Sequence, residues 1–207
     1  MTFNELPLYY AYIDDRDCGI QKVSLVTDPA TEVNFIYFDK DKPYTKFAKI
    51  DDLEHKIQGV IMVADTPIYR RDADGYEYYV AFSKQILCDM SERMLLDHNT
   101  SKVNIEHTEG TDVEGVNLVE IFQIDREKGI DPKAFADVPD GSLLGTYKVR
   151  NDDVWNKIEN GEILSFSLEG IFNFKFDKVY KEDKEIDDLV SFIDRMNEKI
   201  KKIKNLQ

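Results

Sequence analysis

The sequence predicts a mainly β (α+β) fold, and three observations lead there. Aromatic residues make up 12% of the 207 positions and cluster with Val and Ile, a mixture that suits half-buried strands. The clusters come as short runs broken by Gly, Pro, Asn and Asp, the punctuation of turns. Before the tail only two stretches carry a helical period. The expected picture is a β domain over residues 1–180 carrying two short helices, followed by a C-terminal amphipathic helix over 181–207.

Taken in order, Leu8 to Ile13, Ile20 to Val26 and Val33 to Phe38 read as strands, with turn residues at Asp14–Gly19 and Thr27–Thr31. Lys40 to Phe47 reads as a polar connection. Lys56 to Val63 and Tyr76 to Phe82 read as strands flanking a charged turn, Arg70–Gly75, with Asp74-Gly75 at its tip. Ser83 can cap a helix to Asp97, in which Ile86, Leu87, Met90 and Met94 recur at helical spacing. Val103 to His107 and Val116 to Ile124 read as two arms of a hairpin across a long loop, and Leu143 to Val149 as a strand. Asn151 can cap a helix over Asp152 to Glu159, ended by Asn160-Gly161. Ile163 to Leu168 and Ile171 to Phe176 close the β part.

The tail loses its aromatics and gains charge. Ile186, Leu189, Ile193, Met196, Ile200 and Ile203 alternate spacings of three and four, an a/d seam over about three heptads. The seam fits a coiled coil between two copies, a scaffold contact, or a helix packed on its own domain.

A net charge of -14 repels phosphate backbones and argues against nucleic-acid binding. Two cysteines, Cys18 and Cys88, build neither a disulfide framework nor a zinc site. Residues 1–10 lack the basic and apolar regions of a signal peptide. No run approaches the roughly 18 apolar residues of a membrane span. The expectation is a soluble, intracellular protein without membrane contact. Metal motifs and a phosphate-binding Gly-rich loop are missing from the sequence, so no metal or cofactor is expected.

Histidine chemistry has three candidates: His55, His98 and His107. His55 sits in a charged segment and His98 at a helix end, where neither needs a further role. His107 closes the run Val103-Asn104-Ile105-Glu106-His107, and alternation puts it on the apolar face with Val103 and Ile105. That suits either a hydrogen-bonded core histidine or a catalytic one. Glu120 shares a face with Val116, Leu118 and Phe122, and a carboxylate there needs a partner. Pairing of the two strands would supply His107, giving half of a triad. The alternative is that Glu120 reaches water. Ser165 and Ser167 lie with Glu169 on one face of the run ending in Phe166-Ser167-Leu168-Glu169-Gly170, a strand able to present a nucleophile.

Four stretches, in order, resemble the capsid-maturation (prohead) serine proteases of tailed phages, which share the fold of herpesvirus assemblin, and in particular their prophage-type subgroup. They are Val23-Ser24-Leu25-Val26-Thr27-Asp28-Pro29-Ala30; Gln58-Gly59-Val60-Ile61-Met62 through Pro67 to Asp74-Gly75 and the helix from Ser83; Asn104-Ile105-Glu106-His107 with Leu118-Val119-Glu120; and Gly145-Thr146-Tyr147 through Trp155, Ile158 and Gly161-Glu162 to Phe166-Ser167-Leu168-Glu169-Gly170. The resemblance covers most of residues 15–175 at low identity. It implies a small β-barrel, closed or nearly so, flanked by helices at about 83–97 and 152–159. It also implies a serine endopeptidase that cuts scaffold and major capsid proteins in the assembling prohead, inside the host cytoplasm, with Ser167 as nucleophile and His107 as base. Ser165 departs from the family, which usually has Gly there. Many members carry an acid two positions before the Ser of the first motif, where this chain has Lys22. Glu120 is the substitute, with Asp125 and Glu169 behind it. The competing expectation is a catalytically silent assembly or scaffold protein on the same fold.

Overall fold

The computed structural model describes residues 6–14, 18–27, 48–51 and 54–180. The strand expected at 33–38, the connection at 40–47 and the C-terminal helix with its seam lie outside these residues. The described chain is mainly β with two α-helices. Its elements are β1 (Leu6–Tyr12), β2 (Gly19–Val26), β3 (Ala48–Asp51), β4 (Lys56–Met62), β5 (Ile68–Arg71), β6 (Glu77–Ala81), α1 (Lys84–Leu96), β7 (Val103–Ile105), β8 (Val116–Gln123), β9 (Leu143–Val149), α2 (Asp152–Glu159), β10 (Ser165–Ile171) and β11 (Asn173–Tyr180).

Both helices start on the caps their sequences offer. Ser83 Oγ accepts from Ile86 N at 3.2 Å, and Asn151 Oδ1 from Val154 N at 3.0 Å, which satisfies amide groups that the first helical turn leaves bare. Ile86, Leu87, Met90 and Met94 of α1 are buried, as are Val154, Trp155 and Ile158 of α2. α1 packs on β2. One core gathers Ile20, Val23 and Leu25 of β2, Ile57 and Ile61 of β4, the α1 stripe and Tyr147 of β9. β2 is therefore buried nearly along its length, which makes any polar side chain on it conspicuous.

The strands form three open sheets, ordered β11-β1-β6-β5, β10-β2-β7 and β3-β4-β9-β8. This corrects the expected barrel, since closure would need the edge strands of neighbouring sheets to share ladders. β7 is where such a ladder stops. It is three residues long, and Glu106 and His107 after it take left-handed backbone conformations, with φ of 53° and 51°, which no strand continues.

The expected hairpin of 103–107 with 116–124 is corrected by the same turn. β7 pairs in parallel with β2, while β8 pairs antiparallel with β9 in another sheet. The charged turn after residue 70 has a strand on its near side as well, because β5 pairs with β6 from Ile68↔Val80 to Arg71↔Glu77.

Candidate active site

The sheet β10-β2-β7 sets three polar residues in a row. Ser167 of β10 lies opposite Ser24 of β2, and Ser24 lies opposite Asn104 of β7. Directly paired residues share a face of a sheet, so the three side chains stand side by side. Glu169 lies two residues on from Ser167 and so on the same face, opposite Lys22. A bulge follows between Glu169 and Gly170. A Cβ on Gly170 would stand 2.2 Å from the Gly19 carbonyl oxygen, so only glycine lets β10 pass this close to β2. Bulges of this kind re-aim side chains, and the one here directly follows the Glu169 carboxylate.

His107 joins that face through its turn. Strand alternation would have set it with Val103 and Ile105, opposite Asn104. The two left-handed residues reverse that and carry the ring over to Asn104. The turn is held in place: Glu106 N donates to Leu25 O at 3.1 Å and Thr108 N to Ile105 O at 3.1 Å. The Glu106 carboxylate accepts from Thr27 N at 2.6 Å and Thr27 Oγ1 at 2.7 Å.

Four side chains meet at one point. His107 Nδ1 lies 2.8 Å from Glu169 Oε1 and 2.9 Å from Ser24 Oγ. Ser24 Oγ lies 2.5 Å from Glu169 Oε1 and 2.5 Å from Asn104 Oδ1, and Asn104 Nδ2 donates to Glu169 Oε1 at 2.7 Å. Ser24 and Asn104 are buried, whereas the His107 and Glu169 side chains keep 19% and 29% of their surface. Partial burial pushes the Glu169 carboxyl up, but hydrogen bonds from Ser24, Asn104 and His107, with the histidine's charge, outweigh it and hold the group below the usual carboxylate range. Glu169 is thus an anion near neutral pH. Lys22, opposite it, pairs with Asp112 at 2.5 Å.

Of the residues expected at the site, His107 and Ser167 flank Ser24, one through a hydrogen bond and the other through the ladder. Glu120 is not with them. It is exposed on β8, opposite Thr146 in the other sheet, and the carboxylate on His107 is Glu169. The physical reason is the parallel pairing of β7 with β2, which leaves β8 no ladder with the histidine strand. Asp125 is buried at a separate place, bonded to Lys128 Nζ at 2.8 Å. Ser165 is fully buried and its hydroxyl has no hydrogen-bond partner among the described residues. His55 stacks flat on Trp155, ring centroids 4.3 Å apart.

Sequence reasoning gave Ser24 and Asn104 no role at the site. A signal for them exists. Each is a lone polar residue between apolar ones, Val23-Ser24-Leu25 and Val103-Asn104-Ile105, on strands buried on both faces, where an unpaired polar group is costly.

Chemically the arrangement can orient an imidazole through Nδ1 and hold its cation. Among the described residues no group of His, Cys, Asp and Glu could hold a metal ion, and no helix is long and apolar enough to cross a membrane. No family model, curated protein or solved structure matches the chain.

Proposed function

We propose that this chain is a serine endopeptidase of phage head maturation, with Ser167 as nucleophile, His107 as general base and Glu169 as the carboxylate that orients it. The observation that carries the reading is the Glu169–His107 pair, placed on the strand face that also bears Ser167. A histidine held through one ring nitrogen by a carboxylate is the orienting half of a triad. The four ordered motifs supply the substrate class, scaffold and major capsid proteins. The departure at Lys22 fits as well: the acid missing from β2 is replaced by Glu169, directly across the ladder.

The choice of serine follows from access. Ser24 Oγ is bonded to Cβ and ringed by Asn104 Oδ1, Glu169 Oε1 and His107 Nδ1. Those neighbours fill its coordination, and Ser24 has no exposed surface, so a substrate carbonyl has no approach. Ser167, beside it, is half-buried.

In the reaction, His107 takes the proton from Ser167 as its oxygen bonds to the substrate carbonyl carbon. The imidazolium, held by Glu169, then gives that proton to the leaving amine as the C–N bond breaks. Water repeats the sequence on the acyl-enzyme, releasing the new carboxyl end and restoring the Ser167 hydroxyl. Backbone amides near Ser167 would hold the oxyanion.

One observation favours a catalytically silent assembly protein instead: among the described residues the Ser167 hydroxyl makes no hydrogen bond. A single experiment separates the two. A serine-reactive fluorophosphonate should label the full chain at Ser167, by peptide mapping, and labelling should vanish in His107→Ala. An unlabelled wild-type chain would leave the silent reading.

A further inference from the structure

From proton counting at the buried cluster we infer that Ser24 and Asn104 are positioning residues which, with Glu169, lock His107 in the tautomer bearing its proton on Nδ1, leaving Nε2 as the basic nitrogen. The inference rests on the peptidase reading for its consequence, though not for its geometry.

The count starts at Ser24, whose hydroxyl has one proton and two lone pairs. Two of its three neighbours, Asn104 Oδ1 and Glu169 Oε1, are oxygens that only accept. The Asn104 amide is oriented by its own bond: Nδ2 donates to Glu169 Oε1 at 2.7 Å, so Oδ1 must face Ser24. The Ser24 proton therefore goes to one of these two oxygens. What the hydroxyl turns to His107 Nδ1, at 2.9 Å, is a lone pair. The same Nδ1 faces the Glu169 carboxylate at 2.8 Å. A bare Nδ1 would set its own lone pair against two acceptors in a largely buried space. A protonated Nδ1 donates to both. Neutral imidazole carries one proton, so with Nδ1 protonated Nε2 is the basic nitrogen, the one that can take a proton from a nucleophile.

Asn104 adds a second constraint. Its bond to Glu169 Oε1 leaves the carboxylate no freedom to swing away from the ring, and its burial beside Val103 on β7 fixes it to the strand that delivers His107. The serine and the asparagine act through other groups, and neither touches the reacting atoms.

The test uses the full chain labelled with ¹⁵N-histidine. Ring-nitrogen NMR at neutral pH should show His107 with Nδ1 protonated and Nε2 bare. In Ser24→Ala the ring should divide between tautomers, and fluorophosphonate labelling should slow about tenfold, the weight of one hydrogen bond. A wild-type ring with bare Nδ1 overturns the proposal, and does so even if Ser24→Ala fails to fold. An unchanged single tautomer in a folded Ser24→Ala chain overturns it too. If the wild-type ring has the expected tautomer but the chain never labels, the lock stands and the peptidase reading falls.

Discussion

Ser167 lies directly opposite Ser24 in the β2–β10 ladder, yet the two hydroxyls live under opposite conditions. Ser24 is fully buried and bonded on every side, while Ser167 is half-buried and makes no hydrogen bond among the described residues. One is built in and the other is available. Ser167→Ala should therefore abolish fluorophosphonate labelling and any proteolytic processing. It removes a hydroxyl that makes no hydrogen bond among the described residues, so the unfolding free energy should stay within about 0.5 kcal/mol of wild type. Chemical denaturation and mass-spectrometric mapping check both halves. Wild-type processing by the variant would move the nucleophile elsewhere.

The two glutamates make a paired test. Glu169 accepts from His107, Ser24 and Asn104, whereas Glu120 stands exposed on another sheet. Glu169→Gln keeps the shape but turns an acceptor into a group with an N–H₂ end, which can force the wrong imidazole tautomer. Losses on the order of 10⁴-fold in rate are known for such a change in a serine-protease triad, and a fall of at least 10²-fold is expected here. Glu120→Gln should leave the rate unchanged. The labelling rates of the two variants, measured side by side, decide which carboxylate serves His107.

The elements were largely readable in the sequence because their signals are local. Both caps, Ser83 and Asn151, and the α1 stripe from Ile86 to Met94 appear where side-chain chemistry and spacing put them. The pairing was harder. Val103 to His107 reads as an ordinary strand. Nothing local says that Glu106 and His107 adopt left-handed backbone, because the cause is tertiary: Glu106 is clamped by Thr27, 79 positions away. That one turn reverses the face of His107 and frees β8 to pair elsewhere, so it replaces Glu120 by Glu169 at the site. Gly170 carries a similar lesson. Its need for glycine comes from the Gly19 carbonyl, which no local pattern in β10 announces.

Acid should weaken the fold through a second carboxylate cluster. Hydrogen bonding from Lys128 is the chief influence that lowers the Asp125 carboxyl, and the Arg126 amide followed by Lys84 lowers Asp140, both below an ordinary 3.8. Lys84 reaches both, at 3.6 and 3.0 Å. A carboxyl whose folded pKa is depressed contributes stability that is complete above its unfolded pKa, and that is lost as pH falls through the folded value. The urea midpoint should thus hold steady down to about pH 5 and decline below about pH 4. Lys84→Met should lower the midpoint at neutral pH and flatten the acid decline, so that the two curves converge near pH 2. Parallel curves would mean that Lys84 does not depress these carboxyls.

Two hydroxyls in the core stand unpaired among the described residues. Tyr147 is fully buried in the main cluster, its ring tilted against Phe166 at 4.8 Å, and its hydroxyl has no hydrogen-bond partner among the described residues. Burial pushes the phenol far above its usual 10.0, so it remains neutral. Ser165, the neighbour of Phe166 on β10, is buried with the same deficit. A buried polar group without a partner costs about 1–3 kcal/mol, and deleting it in place recovers part of that cost. Tyr147→Phe keeps the ring and should stabilise the fold by about 1 kcal/mol, a rise in Tm of roughly 2–4 °C for a chain of this size. Ser165→Ala should be neutral to slightly stabilising and should leave fluorophosphonate labelling unchanged, because its hydroxyl is fully buried and makes no hydrogen bond to His107. Calorimetry on each single variant measures the effect. A drop in Tm for Tyr147→Phe would show that the hydroxyl is satisfied by a buried water, and a loss of labelling in Ser165→Ala would bring that serine back as the nucleophile.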